Sequence, residues 1–136
     1  MKFNKLILYT DGGARGNPGP AAAGFAILNE KEEVLHAEGK YLGENTNNFA
    51  EYTALVLALQ KAHKLAAKEI EIRMDSELIV KQMTGQYKIK QPHLQELAGQ
   101  VVKLLNNFDN FKFKHIRREY NKLADKMVNQ ALDARK

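Results

Sequence analysis

The sequence contains no cysteine and no tryptophan among its 136 residues. Without thiols the chain can form neither a disulfide nor a thiolate zinc site, so a reducing compartment is compatible with it. No apolar run is long enough to span a membrane, and the run near the N-terminus, Leu6 to Tyr9, is too short for a secretory signal. These absences favour a cytoplasmic globular protein with no membrane partner.

What the sequence has in excess is positive charge. It carries 21 Lys and Arg against 16 Asp and Glu, a formal net charge of +5. Hydrophobic residues make up 44% and charged residues 27%, which is typical of a globular domain. No repeat or linker divides the chain, so we expect a single domain over residues 1–136 and a monomer. The charge favours a polyanionic partner.

Hydrophobic patterns predict a fold of the α/β class. Strands are expected at residues 5–10, 21–28, 34–42, 69–74 and 111–117, and helices at 47–67, 76–84, 92–105 and from 121 onward. The first three strands form an antiparallel meander, because only short turns separate them. Short right-handed connections then place the fourth strand parallel to the first, and the fifth is expected to be parallel as well. The prediction is a five-stranded mixed sheet, three antiparallel strands followed by two parallel ones, flanked by helices.

Four acidic residues each have an ordinary local explanation. Asp11 follows the first strand and could begin a turn, while Asp75 follows the fourth strand and could cap a helix. Glu51 and Asp125 lie near helix N-termini, where the helix dipole favours a negative charge. The predicted topology brings all four to one end of the sheet, however, because parallel strands end at the same edge.

Such a cluster would repel itself and raise its own pKa values unless cations neutralise it. An oxygen-only ligand set with no cysteine and no obligatory histidine points to Mg²⁺, with Mn²⁺ as the alternative. Magnesium commonly completes its coordination shell with water and substrate phosphate. The acidic cluster and the basic net charge therefore both indicate a protein that handles a phosphodiester.

Four segments of the chain together resemble type 1 ribonuclease H. They are YTDGGARGNPGP at 9–20, TNNFAEYTAL at 46–55, RMDSELIV at 73–80 and REYNKLADKMVNQAL at 118–132. The resemblance covers nearly the whole chain, in the family's order and spacing. It implies a ribonuclease H-like fold, and it implies hydrolysis of the RNA strand of RNA–DNA hybrids by two metal ions, giving 5′-phosphate and 3′-hydroxyl ends. The residues that fall on the family's catalytic, metal-binding acids are Asp11, Glu51, Asp75 and Asp125.

The resemblance also implies positions that bind the hybrid. Gly12, Gly13, Asn17 and Asn48 resemble the family's groove contacts, and Thr46 resembles part of its phosphate pocket for the DNA strand. Turn and capping roles are the alternative for Asn17 and Asn48. The connector between the second and third helices is too short for the basic handle of larger members. Its Tyr87, Lys88 and Lys90 are expected to form a reduced version, or else a merely exposed charged loop.

Many members have a mobile histidine before the last acid, which this chain lacks at that place. His115 is assigned to the fifth strand as a half-buried side chain, and Arg118 is expected to substitute partly for the histidine as a catalytic residue. Two rival functions stay open: a catalytically impaired module that binds hybrid or duplex, and a related nuclease such as a junction resolvase. Duplex RNA is a second candidate partner beside the hybrid.

Overall fold

The computed structural model describes residues 3–135. Its five strands are β1 (Phe3–Ala14), β2 (Gly19–Leu28), β3 (Val34–Asn45), β4 (Ala67–Met74) and β5 (Asn110–His115). Its four α-helices are α1 (Asn47–Lys64), α2 (Glu77–Met83), α3 (Pro92–Leu105) and α4 (Lys122–Ala134). A short 3₁₀ helix, Arg118–Tyr120, lies between β5 and α4. No helix within residues 3–135 is long and apolar enough to cross a membrane.

The strands form one sheet in the order β3-β2-β1-β4-β5. β1 pairs antiparallel with β2, and β2 pairs antiparallel with β3. β4 lies parallel to both of its neighbours, β1 and β5. The predicted fold, a five-stranded mixed sheet with an antiparallel part and a parallel part, is confirmed.

Helices cover the two faces of the sheet unequally. On one face α1 packs across β1 and β2, with α3 against α1, around a core that contains Leu6, Leu8 and Ile72. On the other face α4 packs on β2, β3 and β1. Gly24 allows this close approach, because a Cβ atom there would lie 2.5 Å from the carbonyl oxygen of Ala124. The N-terminus of α4 is thereby held against the middle of the sheet.

Several predicted boundaries were wrong. The first strand runs to Ala14 instead of Thr10, because small residues let the β1–β2 ladder continue to the pair Ala14 and Ala21. The long helix ends at Lys64 rather than residue 67, since Ala66 takes a positive φ of 60° and Ala67 already belongs to β4. The fifth strand ends at His115, two residues early, because the chain turns into the 3₁₀ helix.

Two predicted side-chain environments were also wrong. Helical spacing with Leu55, Val56 and Leu59 predicts that His63 lies on the buried stripe of α1, but it is exposed, with its ring nearly perpendicular to that of Phe108 at a centroid distance of 6.4 Å. His115 does lie in β5, yet its side chain is exposed rather than half-buried. β5 is an edge strand, so one side of it has no neighbouring strand to cover its residues. Neither histidine reaches the cluster of acids described next.

Candidate metal and nucleic-acid site

Asp11 and Asp75 leave two adjacent parallel strands at the same edge of the sheet. The β1–β4 ladder ends with the pair Thr10 and Met74, and each acid is the next residue along the chain. Beyond Thr10, β1 continues along β2 only, with Asp11 opposite Gly24. The two carboxylates therefore emerge where the sheet opens, which is the usual place for a ligand in an open α/β sheet.

Glu51 reaches the same edge from α1. The helix can approach β1 because Gly12 has no side chain, and a Cβ there would lie 2.3 Å from the carbonyl carbon of Ala50. Thr46 fixes the start of the helix, since its Oγ1 accepts a hydrogen bond from the backbone N–H of Phe49 at 3.1 Å. As a result, carboxylate oxygens of Asp11, Glu51 and Asp75 lie within 4.8 Å of one another.

The electrostatics of these acids are those of an uncompensated cluster. Burial, together with the charges of Asp75 and Asp125, raises the pKa of Asp11 to about 8. Burial and the neighbouring Asp11 and Asp75 raise the pKa of Glu51 well above its usual value, with only Arg118 opposing them. The Oε2 atom of Glu51 is buried without a hydrogen-bond partner among the described residues. A cation between these oxygens would satisfy that atom and relieve the repulsion.

Asp125 lies on the solvent side of the cluster, in the first turn of α4. Its side chain is 35% exposed, and the Nη2 atom of Arg118 lies 3.8 Å from its Oδ1. Asn129, one turn later on α4, donates to the Asp125 backbone oxygen at 3.1 Å. The fourth acid thus forms the rim of the cluster rather than its buried centre.

A cavity of about 500 Å³ opens over the acids. Seven of the predicted site residues line it: Asp11, Gly12, Gly13, Glu51, Asp75, Arg118 and Asp125. The other six predicted residues do not line it: Asn17, Thr46, Asn48, Tyr87, Lys88 and Lys90. The cavity's lining of carboxylates, Arg118 and asparagines is polar enough for a metal ion with a phosphate group.

Asn17, Thr46 and Asn48 lie near the junction of the β1–β2 turn and α1. The Oδ1 of Asn17 accepts from the backbone N–H of Asn47 at 3.0 Å, so this oxygen caps the start of α1. Asn48 is half-buried in the first turn of α1. Their contacts with a nucleic acid stay predictions.

Tyr87, Lys88 and Lys90 lie in the connector between α2 and α3, and none of them lines the acid cavity. All three side chains are exposed. The Nζ of Lys81 lies 5.0 Å from the centroid of the Tyr87 ring, but it is paired with Glu77 at 2.8 Å, so the positive charge of this surface comes from Lys88 and Lys90. The connector is therefore a basic, partly aromatic surface separate from the acids.

Sequence reasoning missed three asparagines at the site. Asn47 accepts from the backbone N–H of Ala14 through its Oδ1 at 2.7 Å, which ties the β1–β2 turn to α1. Asn129 follows Asp125 by four residues, a helical spacing that could have identified it. An asparagine at the start of the last helix predicts an N-cap, but the Asn121 side chain makes no capping hydrogen bond. It donates instead to the Thr10 carbonyl oxygen and to Asp75, and no local pattern signals such a contact.

A mixed sheet of this order, with acids at the end of its parallel strands and a helix-borne acid beside them, defines a ribonuclease H-like domain. The sequence profile described as "Reverse transcriptase-like" matches residues 9–131. The chain therefore belongs to this reverse transcriptase-like, ribonuclease H-like family.

Known proteins resemble the chain over most of its length. The bifunctional protein Rv2228c of Mycobacterium tuberculosis (strain H37Rv) is 40% identical over 131 residues, 96% of this chain and 36% of that protein. Ribonuclease HI of Halobacterium salinarum is 40% identical over 129 residues, 95% of this chain and 65% of that protein. A crystal structure of LC11-RNase H1 in complex with RNA/DNA hybrid superimposes with a TM-score of 0.88 at 49% identity, covering 95% of this chain and 97% of that chain. The chain thus spans about a third of the first relative and just under two thirds of the second.

Proposed function

We propose that this chain is an endoribonuclease that hydrolyses the RNA strand of RNA–DNA hybrids. The observation that carries the proposal is the convergence of Asp11, Glu51 and Asp75 within 4.8 Å, with Asp125 at their rim. Family membership and the resemblance to a protein solved with an RNA/DNA hybrid support the choice of substrate. The net charge of +5 supports a nucleic acid as partner.

The four acids would hold Mg²⁺, or Mn²⁺ as the alternative. Their donors are all carboxylate oxygens, and the unpartnered Glu51 Oε2 and the raised pKa of Asp11 fit a site that lacks its counter-charge. Two such ions, when bound, supply activation of the attacking water and neutralisation of the charge at the leaving oxygen.

The residues of the chain have separate tasks in the proposed reaction. Water attacks the phosphorus in line with the 3′ oxygen and gives up one proton to solvent. The bond between phosphorus and the 3′ oxygen breaks, and that oxygen takes up a proton from solvent. The products carry a 5′-phosphate and a 3′-hydroxyl.

Arg118, whose side chain is 83% exposed, can swing from Asp125 to a phosphate oxygen of the RNA strand. Its guanidinium suits that contact because it donates several parallel hydrogen bonds.

Recognition of the hybrid uses the surface around the cavity. In this proposal the backbones of Gly12 and Gly13 and the side chains of Asn17 and Asn48 contact the minor groove, where 2′-hydroxyls distinguish RNA from DNA. The Thr46 hydroxyl contacts a phosphate of the DNA strand, because its hydrogen is free to donate while its oxygen caps α1. Tyr87, Lys88 and Lys90 extend the contact along the duplex.

A substrate panel with labelled oligonucleotides tests the proposal. We expect Mg²⁺-dependent cleavage of the RNA strand of a hybrid, with end-group analysis giving 5′-phosphates, and much slower cleavage of duplex RNA, single-stranded RNA and four-way junction DNA. Hybrid binding without cleavage, at every Mg²⁺ and Mn²⁺ concentration, would identify a binding module instead. Preferential cutting of the junction would identify a resolvase.

The same proposal takes residues 1–136 as a single domain that acts as a monomer in the cytoplasm. Light scattering on the purified chain should give the mass of one copy, with and without hybrid. A dimer mass would contradict the monomer while leaving the chemistry of the site intact.

A further inference from the structure

Asn121 is fully buried beside the acids, between the 3₁₀ helix and α4. Asparagine is seldom buried completely, because its amide needs several hydrogen-bond partners. Here the residue occupies the N-cap position of α4, yet its side chain does not cap the helix. An asparagine at the N-cap commonly stabilises its helix, so this side chain forgoes a common stabilising contact for another one.

Both hydrogens of the Asn121 side-chain amide have acceptors. Nδ2 donates to the carbonyl oxygen of Thr10 at 2.8 Å and to Oδ2 of Asp75 at 2.9 Å. Rotating the amide by 180° would set its oxygen against a carbonyl oxygen and a carboxylate, so the orientation is determined. The amide oxygen, in contrast, is buried without a partner among the described residues. The two donated bonds are therefore what fixes the side chain.

The backbone of Asn121 is hydrogen-bonded to the backbones of Asp125 and Arg118. Its carbonyl oxygen accepts from the N–H of Asp125 at 3.1 Å, and its own N–H donates to the carbonyl oxygen of Arg118 at 2.9 Å. One buried residue thus joins the end of β1, the carboxylate that follows β4, and the turn of α4 that carries the fourth acid.

We propose that Asn121 is a positioning residue, which holds Asp75 and the start of α4 so that Asp75 and Asp125 can share a cation. This inference rests on the proposed metal site. Partners that orient metal-binding carboxylates commonly change metal affinity by 10- to 100-fold when they are removed, a typical range from other proteins. The bond to Thr10 ties the start of α4 to β1, whereas the bond to Asp75 acts directly on a carboxylate of the proposed metal site.

The test compares Asn121→Ala with a matched variant, Leu123→Ala. Leu123 packs α4 against the cluster of Ile7, Ala26 and Leu28 without contacting the acids, so its truncation loosens the same helix and leaves the amide in place. Binding of Mn²⁺ to the protein without substrate is measured by electron paramagnetic resonance. We expect about tenfold weaker binding in Asn121→Ala, near-unchanged binding in Leu123→Ala, and a Mg²⁺ requirement for cleavage that rises in parallel for Asn121→Ala only.

Each outcome decides the matter. Equal Mn²⁺ binding in wild type and Asn121→Ala, or equal losses in both variants, overturns the positioning role. Failure of the wild type to bind Mn²⁺ overturns the proposed metal site and this inference with it. Tight binding by the wild type with loss in Asn121→Ala alone supports both.

A measurement on the unaltered protein serves if Asn121→Ala does not fold. In a nitrogen-15 NMR titration with Mg²⁺, the side-chain amide signals of Asn121 should shift along with the backbone signal of Asp75. The exposed Asn107, at the end of α3, should not shift and serves as the reference. Amide signals of Asn121 that stay unchanged while Asp75 responds would contradict the proposal.

Discussion

Two buried acidic sites of opposite character lie on adjacent parallel strands, Asp11 on β1 and Glu71 on β4. Glu71 and Asp11 are each 7% exposed. Burial acts to raise the pKa of both, yet the pKa of Glu71 is lowered overall, because Arg73 lies 2.6 Å from its Oε2 and Lys5 lies 3.6 Å from its Oε1. The pKa of Asp11 rises to about 8, because its neighbours Asp75 and Asp125 add negative charge.

The difference between the two sites lies in their partners and not in their burial. The guanidinium of Arg73 also donates to the hydroxyl of Tyr9, so the charge of Glu71 is compensated by cations and hydrogen bonds within the protein. In the acid cluster, by contrast, Asp75 and Asp125 still repel the charge of Asp11, although the chain is rich in Lys and Arg. A buried charge that the protein itself does not compensate is the signature of a site completed by a ligand.

The largest expected effect separates the two sites by activity. Asp11→Asn should lower turnover of a hybrid by about 1,000-fold, because it removes a metal ligand and leaves the shape of the site unchanged. Glu71→Gln, the matched change in the other site, should alter turnover by less than about threefold. Single-turnover cleavage at saturating enzyme measures both, with circular dichroism to verify folding. If Glu71→Gln is as inactive as Asp11→Asn, the contrast between the sites is wrong.

This contrast also separates what the sequence could predict from what it could not. Asp11 and Asp75 were predictable, because each ends a recognisable strand and parallel strands end together. The Glu71 network was not predictable, because Glu71 and Arg73 occupy ordinary polar positions in a strand of alternating pattern. Asn121 was assigned to the wrong contact for a similar reason. Its partners are 46 and 111 residues away, and local propensity carries no information on them.

A smaller effect than the loss of turnover is expected on the stability of the metal-free protein. The folded pKa of Asp11 is above its unfolded value near 3.8, so the native state holds an extra proton between about pH 4 and pH 8 and stability falls as pH rises through that range. Glu71 has the opposite sign: its lowered pKa gives stability above the unfolded value of 4.5, and that stability is lost as pH falls through the folded pKa.

Two variants test these opposite contributions of Asp11 and Glu71 to stability. Near pH 7 without metal, Asp11→Asn should raise the free energy of unfolding by about 1–3 kcal/mol, and Glu71→Gln should lower it by about 1–3 kcal/mol. Urea denaturation at several pH values measures both. Millimolar Mg²⁺ should stabilise the wild type and narrow its gap to Asp11→Asn, because bound cations replace the missing compensation. A destabilised Asp11→Asn without metal would contradict the proposed repulsion.

The smallest effect comes from charges that are neither buried nor paired across the sheet. Lys88 and Lys90 are exposed in the connector between α2 and α3, outside both acidic sites. If they contact phosphates, Lys88→Ala and Lys90→Ala should each weaken hybrid binding a few-fold and lower the slope of log affinity against log salt by about one. Turnover at saturating hybrid should stay unchanged, because neither side chain reaches the acids. Lys68→Ala serves as the control, since Lys68 is exposed at the opposite end of β4. An unchanged salt slope in both connector variants would mean that this surface is only solvated charge.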